Sequence, residues 1–333
     1  MILHGGPMRK IFLLSKTILL CIVCLTSALL QAKWEKLDYS TMGTNIVIEV
    51  YHLDQSIRTE AIAAVVNEME RINQTMSTYI QSSDVSQVNA LAYTQEVPLS
   101  KELFDLLALS FHISEMTDGA FDITYASVGY LYSYPNKEKP SDEQIATLLK
   151  AVNYKLVQLN ESKLSVRFLH KDVKIDLGGI AKGYAVDNAI EILRKIGITN
   201  ALVTAGGDTR LLGDRLGKPW IVGIRDPRNS EKQAVVIPLS QSAMSTSGDY
   251  ERYFEEDGKR FHHILSPKTG KSTYEVQSVS IIGPESVYND ALSTAVFVMG
   301  LEKGIGLINS LPDFEAIVMD ANRRMHYSNG LTQ

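Results

Sequence analysis

Apolar and polar residues alternate along Asn45-Ile-Val-Ile-Glu-Val-Tyr51, the period of a half-buried strand. From Ser56 to Ile72 the period changes. Ile57, Ala61, Val65, Met69 and Ile72 recur at helical spacing, which predicts an amphipathic helix with one apolar stripe. Ser100 stands as N-cap of a second helix that carries Leu103, Leu106, Leu107 and Phe111 and ends near Asp118-Gly119. Ser141-Asp-Glu opens a third, and Gly183 to Ile196 forms a fourth, stopped by Gly197. Short β-rich runs lie between and after these helices. They are Tyr154 to Leu159, Lys163 to Phe168, Val173 to Leu177, Ala201 to Ala205, Trp220 to Arg225, Ala234 to Leu239, Gln277 to Gly283 and Glu315 to Met319. A helix from Asp290 to Met299 separates the last two. Strands cluster and helices cluster without strict alternation. The expected class is α+β, with largely antiparallel sheets and packed helices.

The first 32 residues read differently. Arg9-Lys10 precedes an apolar run from Ile11 to Leu30, and Ala32 closes it before the polar chain resumes at Lys33. A basic start, an apolar core and a small final residue predict a signal peptide over residues 1–32, removed on export to leave a single domain over 33–333. Met1 to Pro7 holds no basic residue, which places the start of translation at Met8. Two other uses of the same residues stay open. One is a retained anchor helix, for which Thr17 to Leu30 is short because Lys16 interrupts the run. The other is lipid attachment at Cys24, where Val23 stands in place of the usual small residue. The expected location is thus exported and periplasmic, with attachment to the cytoplasmic membrane as the variant. Both cysteines, Cys21 and Cys24, lie in this segment, so the mature chain carries neither a disulfide nor a thiol nucleophile.

Composition narrows the class further. Hydrophobic residues make up 45% and charged residues 21% of the 333, the balance of a folded protein and not of extended disorder. Thirty-three bases against 38 acids give a net charge of -5, and removing Arg9, Lys10 and Lys16 with the signal leaves 30 against 38. A general nucleic-acid binder carries a basic excess, so that class falls away. A mean hydropathy of -0.03 with one long apolar run excludes a polytopic membrane protein.

Candidate chemistry sits in polar or glycine-rich segments that join the elements. No Walker loop, HExxH helix or GxSxG elbow is present. Taken singly, the segments that are present carry plain alternatives. Gly178-Gly179 before a helix marks a tight turn as readily as a phosphate cradle. Asp290 reads as a helix N-cap or a metal ligand, and His262-His263 as a polar strand end. Met76-Ser-Thr-Tyr79 closes the first helix, with Tyr79 free to pack on the sheet. Lys182, in a first helical turn, is a poor partner for the helix dipole and favours a ligand role.

Their order changes the reading. Met42-Gly-Thr44, Met76-Ser-Thr-Tyr79, Gly119-Ala-Phe-Asp122, Asp176 to Asp187, Ala205-Gly-Gly-Asp208, Thr246-Ser-Gly-Asp249, His263-Ile-Leu-Ser-Pro and Asp290-Ala-Leu-Ser-Thr294 together resemble the FAD:protein FMN transferases, the ApbE family. The resemblance runs from about Tyr39 to Asp320. It implies the family's α+β fold with a cleft between lobes, FAD as substrate and Mg2+ as cofactor. It also implies transfer of FMN to a Ser or Thr hydroxyl of an acceptor protein through a phosphoester bond, with release of AMP. The partners it implies are exported flavoproteins of respiratory redox complexes, such as the sodium-pumping quinone reductase and its relatives. Some members instead hydrolyse FAD, and a non-catalytic exported flavin carrier is the third possibility.

Matching residue by residue, the resemblance assigns FAD contacts to Met42, Tyr79, Ala120, Phe121, Asp122, Asp176, Lys182 and Leu265. Tyr79 and Phe121 offer aromatic surface to a flat ring system, Asp122 and Asp176 accept hydrogen bonds, and Lys182 neutralises phosphate. It assigns metal ligation to the Gly179 carbonyl and the side chains of Asp290, Ser293 and Thr294, an all-oxygen set suited to a hard cation. Spacing of i, i+3 and i+4 at a helix start turns the last three to one side. His263 matches the base that takes the acceptor proton, its ordinary pKa near 6.5 suiting the task, whereas His262 has no assigned role and should tolerate substitution. One departure stands out: Ser266-Pro267 replaces the family's common Asp-Pro. The chain has no Asp-x-x-Ser/Thr-Gly-Ala-Ser/Thr acceptor motif, so it is expected to modify other proteins and not itself.

Overall fold

The computed structural model describes residues 34–332. β1 (Trp34–Thr41) and β2 (Thr44–Tyr51) form a hairpin around Met42-Gly43, both at positive φ (52° and 69°). Such a turn matches the twist of the flanking strands; glycine adopts it freely, whereas methionine is held there against its preference. In chain order there follow α1 (Gln55–Met76), α2 (Asp84–Leu91), β3 (Val97–Pro98), α3 (Lys101–Met116), α4 (Ala126–Gly129), α5 (Asp142–Leu148), β4 (Val157–Asn160), β5 (Ser165–Phe168) and α6 (Ala181–Ile196). The C-terminal half adds β6 (Asn200–Ala205), β7 (Asp208–Leu212), β8 (Trp220–Asp226), β9 (Asn229–Leu239), β10 (Ala243–Gly248), β11 (Tyr253–Glu256) and β12 (Lys259–His262). It ends with β13 (Val276–Gly283), α7 (Ser286–Met299), α8 (Leu301–Asn309), β14 (Glu315–Asp320) and β15 (Met325–Tyr327).

Eight strands make the main sheet, in the order β1-β2-β6-β7-β10-β13-β14-β15, and every neighbouring pair is antiparallel. Strand alternation gives the sheet two apolar faces. Ile46, Ile48 and Val50 of β2 and Ala201, Val203 and Ala205 of β6 bury against α1 and α6. From the opposite face Leu211, Met244 and Ile317 meet Trp220, Val222 and Ile224 of the β8–β9 hairpin. The α+β class is as expected. Among the described residues no helix is long and apolar enough to cross a membrane. The expected signal peptide lies outside them.

Several elements differ from the sequence reading, each for a physical reason. α1 runs one turn past Ile72 to Met76, and its cap is Asp54, whose carboxylate accepts from Ser56 N. β1 and α2 were not anticipated. Tyr154–Leu156 is a 3-10 turn, and the strand begins only at Val157. Thr246-Ser-Gly248, read as a loop, belongs to β10. Val173 to Leu177 is extended but joins no sheet. Its backbone groups go instead to other partners: Lys174 N to Ser127 Oγ (3.0 Å), both Ile175 groups to the Asn89 amide (2.8 Å each), and Asp176 N to Ile123 O (3.0 Å). α7 begins at Ser286 and not at Asp290. Asp187, on α6, accepts from the amides of Ser286 and Val287 at 2.9 Å each, a cap supplied from about a hundred residues upstream.

Candidate active site

A cleft of about 1480 Å3 opens between the main sheet's helical layer and the segments around α4, β11 and β12. It exceeds the roughly 300–1,000 Å3 of a drug-sized site and can take a larger ligand. Met42, Tyr79, Ala120, Phe121, Asp122, Asp176, Gly179, Lys182, His263, Leu265, Asp290 and Thr294 all line it, although they come from six separate stretches of chain. Ser293 does not. It is buried, donates to the Asp290 carbonyl at 2.9 Å and meets Ser247 Oγ at 2.8 Å. With α7 starting four residues early, Asp290 is not an N-cap but projects from the second turn.

The floor is a buried charge cluster. Lys182 Nζ donates to Asp208 Oδ2 at 2.7 Å and to the two Asp290 oxygens at 3.1 and 3.2 Å. Asp290 also accepts from Gly183 N at 3.1 Å. Gly183 makes this possible: a Cβ there would lie 2.3 Å from the Ser286 carbonyl oxygen and 2.9 Å from Asp290 Cβ. Only glycine lets α6 and α7 approach this closely. Burial, and next the neighbouring Asp208 carboxylate, push Asp290 up from its ordinary value against the pull of Lys182. Burial works against the Lys182 ammonium, but Asp208 and Asp290 outweigh it and hold its pKa above the usual range. Nearby, a Cβ on Gly179 would lie 3.4 Å from Thr294 Oγ1 and 3.3 Å from the Phe121 ring, so this backbone passes close to both.

The walls sort the other residues. Phe121 lines the cleft but is only 3% exposed, and its ring lies close against the Gly179 backbone. Tyr79 is 87% exposed and does not pack on the sheet. Asp122 is engaged on both oxygens, by Thr124 N and Oγ1 (2.8 and 2.6 Å) and by Tyr154 N (2.8 Å); burial raises its pKa. Asp176 accepts from Thr78 Oγ1 (2.8 Å), Gly178 N (2.7 Å) and Tyr125 OH (3.3 Å). Leu265 is buried and bridges to Ser272. The Ser266 turn is held by backbone bonds, Ser266 N to Lys271 O (2.9 Å) and Gly270 N to Ser266 O (2.8 Å), so its shape does not depend on a carboxylate at that position.

The two histidines part company. His263 lines the cleft, and its Nδ1 is buried with no hydrogen-bond partner among the described residues. Burial, then the neighbouring Arg252, with smaller contributions from His262 and Lys182, holds its pKa down to about 3, far from the ordinary value expected of it. His262 is no idle neighbour. It is 1% exposed, bonds Thr273 O through Nε2 at 2.6 Å and lies edge-on to Phe297 at 5.5 Å. The expectation that it tolerates substitution is corrected: it is a core residue anchoring the strand end that carries His263.

Sequence reasoning passed over Asp208, Arg252, Tyr125, Tyr130 and Tyr134 as site residues, all of which line the cleft. Asp208 had a signal, since it ends a Gly-Gly turn and Lys182 needs a counter-charge. The tyrosines had none, because nothing local distinguishes them from core residues.

The cleft is thus floored by a lysine held between two carboxylates, with the Thr294 hydroxyl lining it nearby. The chain belongs to the ApbE family, whose model matches residues 42–318. Among curated relatives, a Haemophilus influenzae protein named FAD:protein FMN transferase is 34% identical over 290 residues, 83% of each chain. One of the same name from Treponema pallidum is 29% identical over 94% of this chain and 93% of its own. Among solved structures, the ApbE protein of Thermotoga maritima superposes with a TM-score of 0.83 at 35% identity, covering 90% of this chain and 98% of that one. The flavin transferase ApbE of Vibrio cholerae gives 0.81 at 25% identity, over 90% and 99%.

Proposed function

We propose that this protein is a flavin transferase that moves FMN from FAD to a serine or threonine hydroxyl of an acceptor protein and releases AMP. The observation that carries the reading is the placement of a buried lysine–carboxylate cluster and an unpartnered histidine nitrogen in one cleft of a size for FAD. In the reaction, the acceptor oxygen bonds to the FMN phosphorus as the diphosphate P–O bond breaks, and AMP leaves with the electron pair. A Ser or Thr hydroxyl is a weak nucleophile at neutral pH, so a base beside it matters. His263 is assigned that proton. Its ring is neutral and able to accept, and substrate diphosphate would offset the Arg252 and Lys182 charges that depress it. Lys182 answers phosphate charge, Tyr79 presents its face to the flavin, and Met42, Ala120, Phe121, Asp122, Asp176 and Leu265 shape the FAD pocket.

The oxygen donors fit a hard divalent cation, for which we take Mg2+. Asp290, Thr294 and the Gly179 carbonyl would hold it, with Ser293 fixing Asp290 from behind; one carboxylate among neutral oxygens leaves room for substrate phosphate. When bound, the cation neutralises charge on the transferring phosphoryl group. The reading of residues 1–32 as an export signal supports a periplasmic enzyme whose acceptors are exported flavoproteins of redox complexes.

Incubation with FAD, Mg2+ and a candidate acceptor domain tests the proposal by intact mass and in-gel flavin fluorescence. The acceptor is expected to gain one FMN at a single Ser or Thr, with equimolar AMP. Consumption of FAD with every acceptor unmodified would instead mark a pyrophosphatase.

A further inference from the structure

We propose that Lys182 is a tethered cation that occupies the Asp290 carboxylate until the divalent metal arrives, and that Asp208 is the positioning residue that keeps Lys182 when it gives that carboxylate up. This rests on the reading that Asp290 is the metal's carboxylate. The contacts are unequal. Lys182 Nζ sits at 2.7 Å from Asp208 but straddles the two Asp290 oxygens at 3.1 and 3.2 Å. The side chains of Asp208 and Asp290 are 3% and 5% exposed, so neither carboxylate is stable there without a counter-charge. A lysine stem is flexible and its ammonium is a point charge, so it can lean between partners without losing both.

The arrangement solves two problems. Without metal, the ammonium neutralises Asp290 and keeps the α6–α7 contact from carrying a bare buried charge. With metal, two cations cannot share Asp290 at close range. Asp208 then holds the displaced ammonium inside the cleft, facing incoming phosphate. Asp290 itself need not move, because Gly183 N fixes one of its oxygens at 3.1 Å.

Opposite effects of two substitutions on metal affinity test this, with Mn2+ as the probe, read by electron paramagnetic resonance in the absence of FAD. Mn2+ takes the same oxygen donors as Mg2+. If the lysine competes for Asp290, apparent affinity scales with the fraction of carboxylate left free, and changes of about tenfold are expected. Lys182→Met should tighten Mn2+ binding, because the competitor is gone. Asp208→Asn should weaken it, because Lys182 then has only Asp290, and Asp208→Glu should restore it. General damage to the site would weaken binding in both variants, so the opposite signs are diagnostic. Weaker or unchanged binding by Lys182→Met overturns the proposal, and it does so even if Asp208→Asn fails to fold. Asp290→Ala in the same titration separates the two readings. A wild-type Mn2+ site that survives this change overturns the metal assignment, and this proposal with it.

Discussion

The imidazole of His262 is held on both nitrogens: Nε2 donates to Thr273 O at 2.6 Å, and Nδ1 accepts from Ile264 N at 3.3 Å. Phe297 and Tyr274 each meet it in T-shaped contact. Removing it opens a cavity and leaves a carbonyl and an amide unpaired, so His262→Ala should cost about 2–4 kcal/mol in urea unfolding. His263→Ala should leave the unfolding midpoint at neutral pH nearly unchanged and keep FAD affinity, while single-turnover transfer falls by about 10²–10⁴-fold. Wild-type transfer by His263→Ala would remove the base assignment. Acid gives a further check. Burial first holds both histidines below their ordinary value, His263 to about 3. Below about pH 6.5 the unfolded chain therefore binds protons that the native His263 refuses until near pH 3. Stability contributed by the neutral ring is present at pH 7 and drains as pH falls through that window. Urea midpoints at pH 7 and pH 5 should accordingly drop further for the wild type than for His263→Ala.

Some helix ends were readable from partners close in sequence, although the local Asp54 and Ser83 caps were passed over. The Ser100 cap, the Ser141–Gln144 capping box and the Gly197 stop (φ 95°) stand as local signals predict, because each is settled within one turn of chain. α7 is different. Its first amides are capped by Asp187, which is also paired with Arg210 at 2.7 Å, so its start is a property of the α6–α7 packing. Gly183 controls that packing. Gly183→Ala raises helix propensity, yet its methyl meets a backbone carbonyl that cannot rotate aside. It should destabilise by about 1–3 kcal/mol and weaken FAD binding, since α7 must shift and carries Asp290 with it. Thermal melts paired with FAD titration check this. A variant as stable as the wild type with intact binding would show that the helices can part without disturbing the floor.

The assembled molecule brings together a hairpin turn at Met42, a helix end at Tyr79, a turn at Phe121, the α6 entry at Lys182, a strand end at Asp208, the His263 loop and α7. An enzyme built this way needs no cysteine, and among residues 33–333 there is none. If residues 1–32 direct export, intact mass of the secreted protein should place its N-terminus at Lys33, without a lipid. A lipid-modified Cys24 at the N-terminus would overturn that cleavage site and leave the cleft's chemistry as it stands.

Alternation along β2 and β6, the apolar stripe of α1 and the ordered motifs were determined by sequence alone. Burial repeats with the period of the backbone, and motif residues keep their order whatever the packing. Tertiary structure decided the rest. It turned Val173 to Leu177 away from any sheet by giving its backbone groups partners on Asn89, Ile123 and Ser127, and it buried Phe121 while exposing Tyr79. It made one of two adjacent histidines a core anchor and set the other in the cleft. It also gave Lys182 two carboxylates from 26 and 108 residues away. Partners that distant are chosen by the packing of whole elements, and no local propensity encodes them.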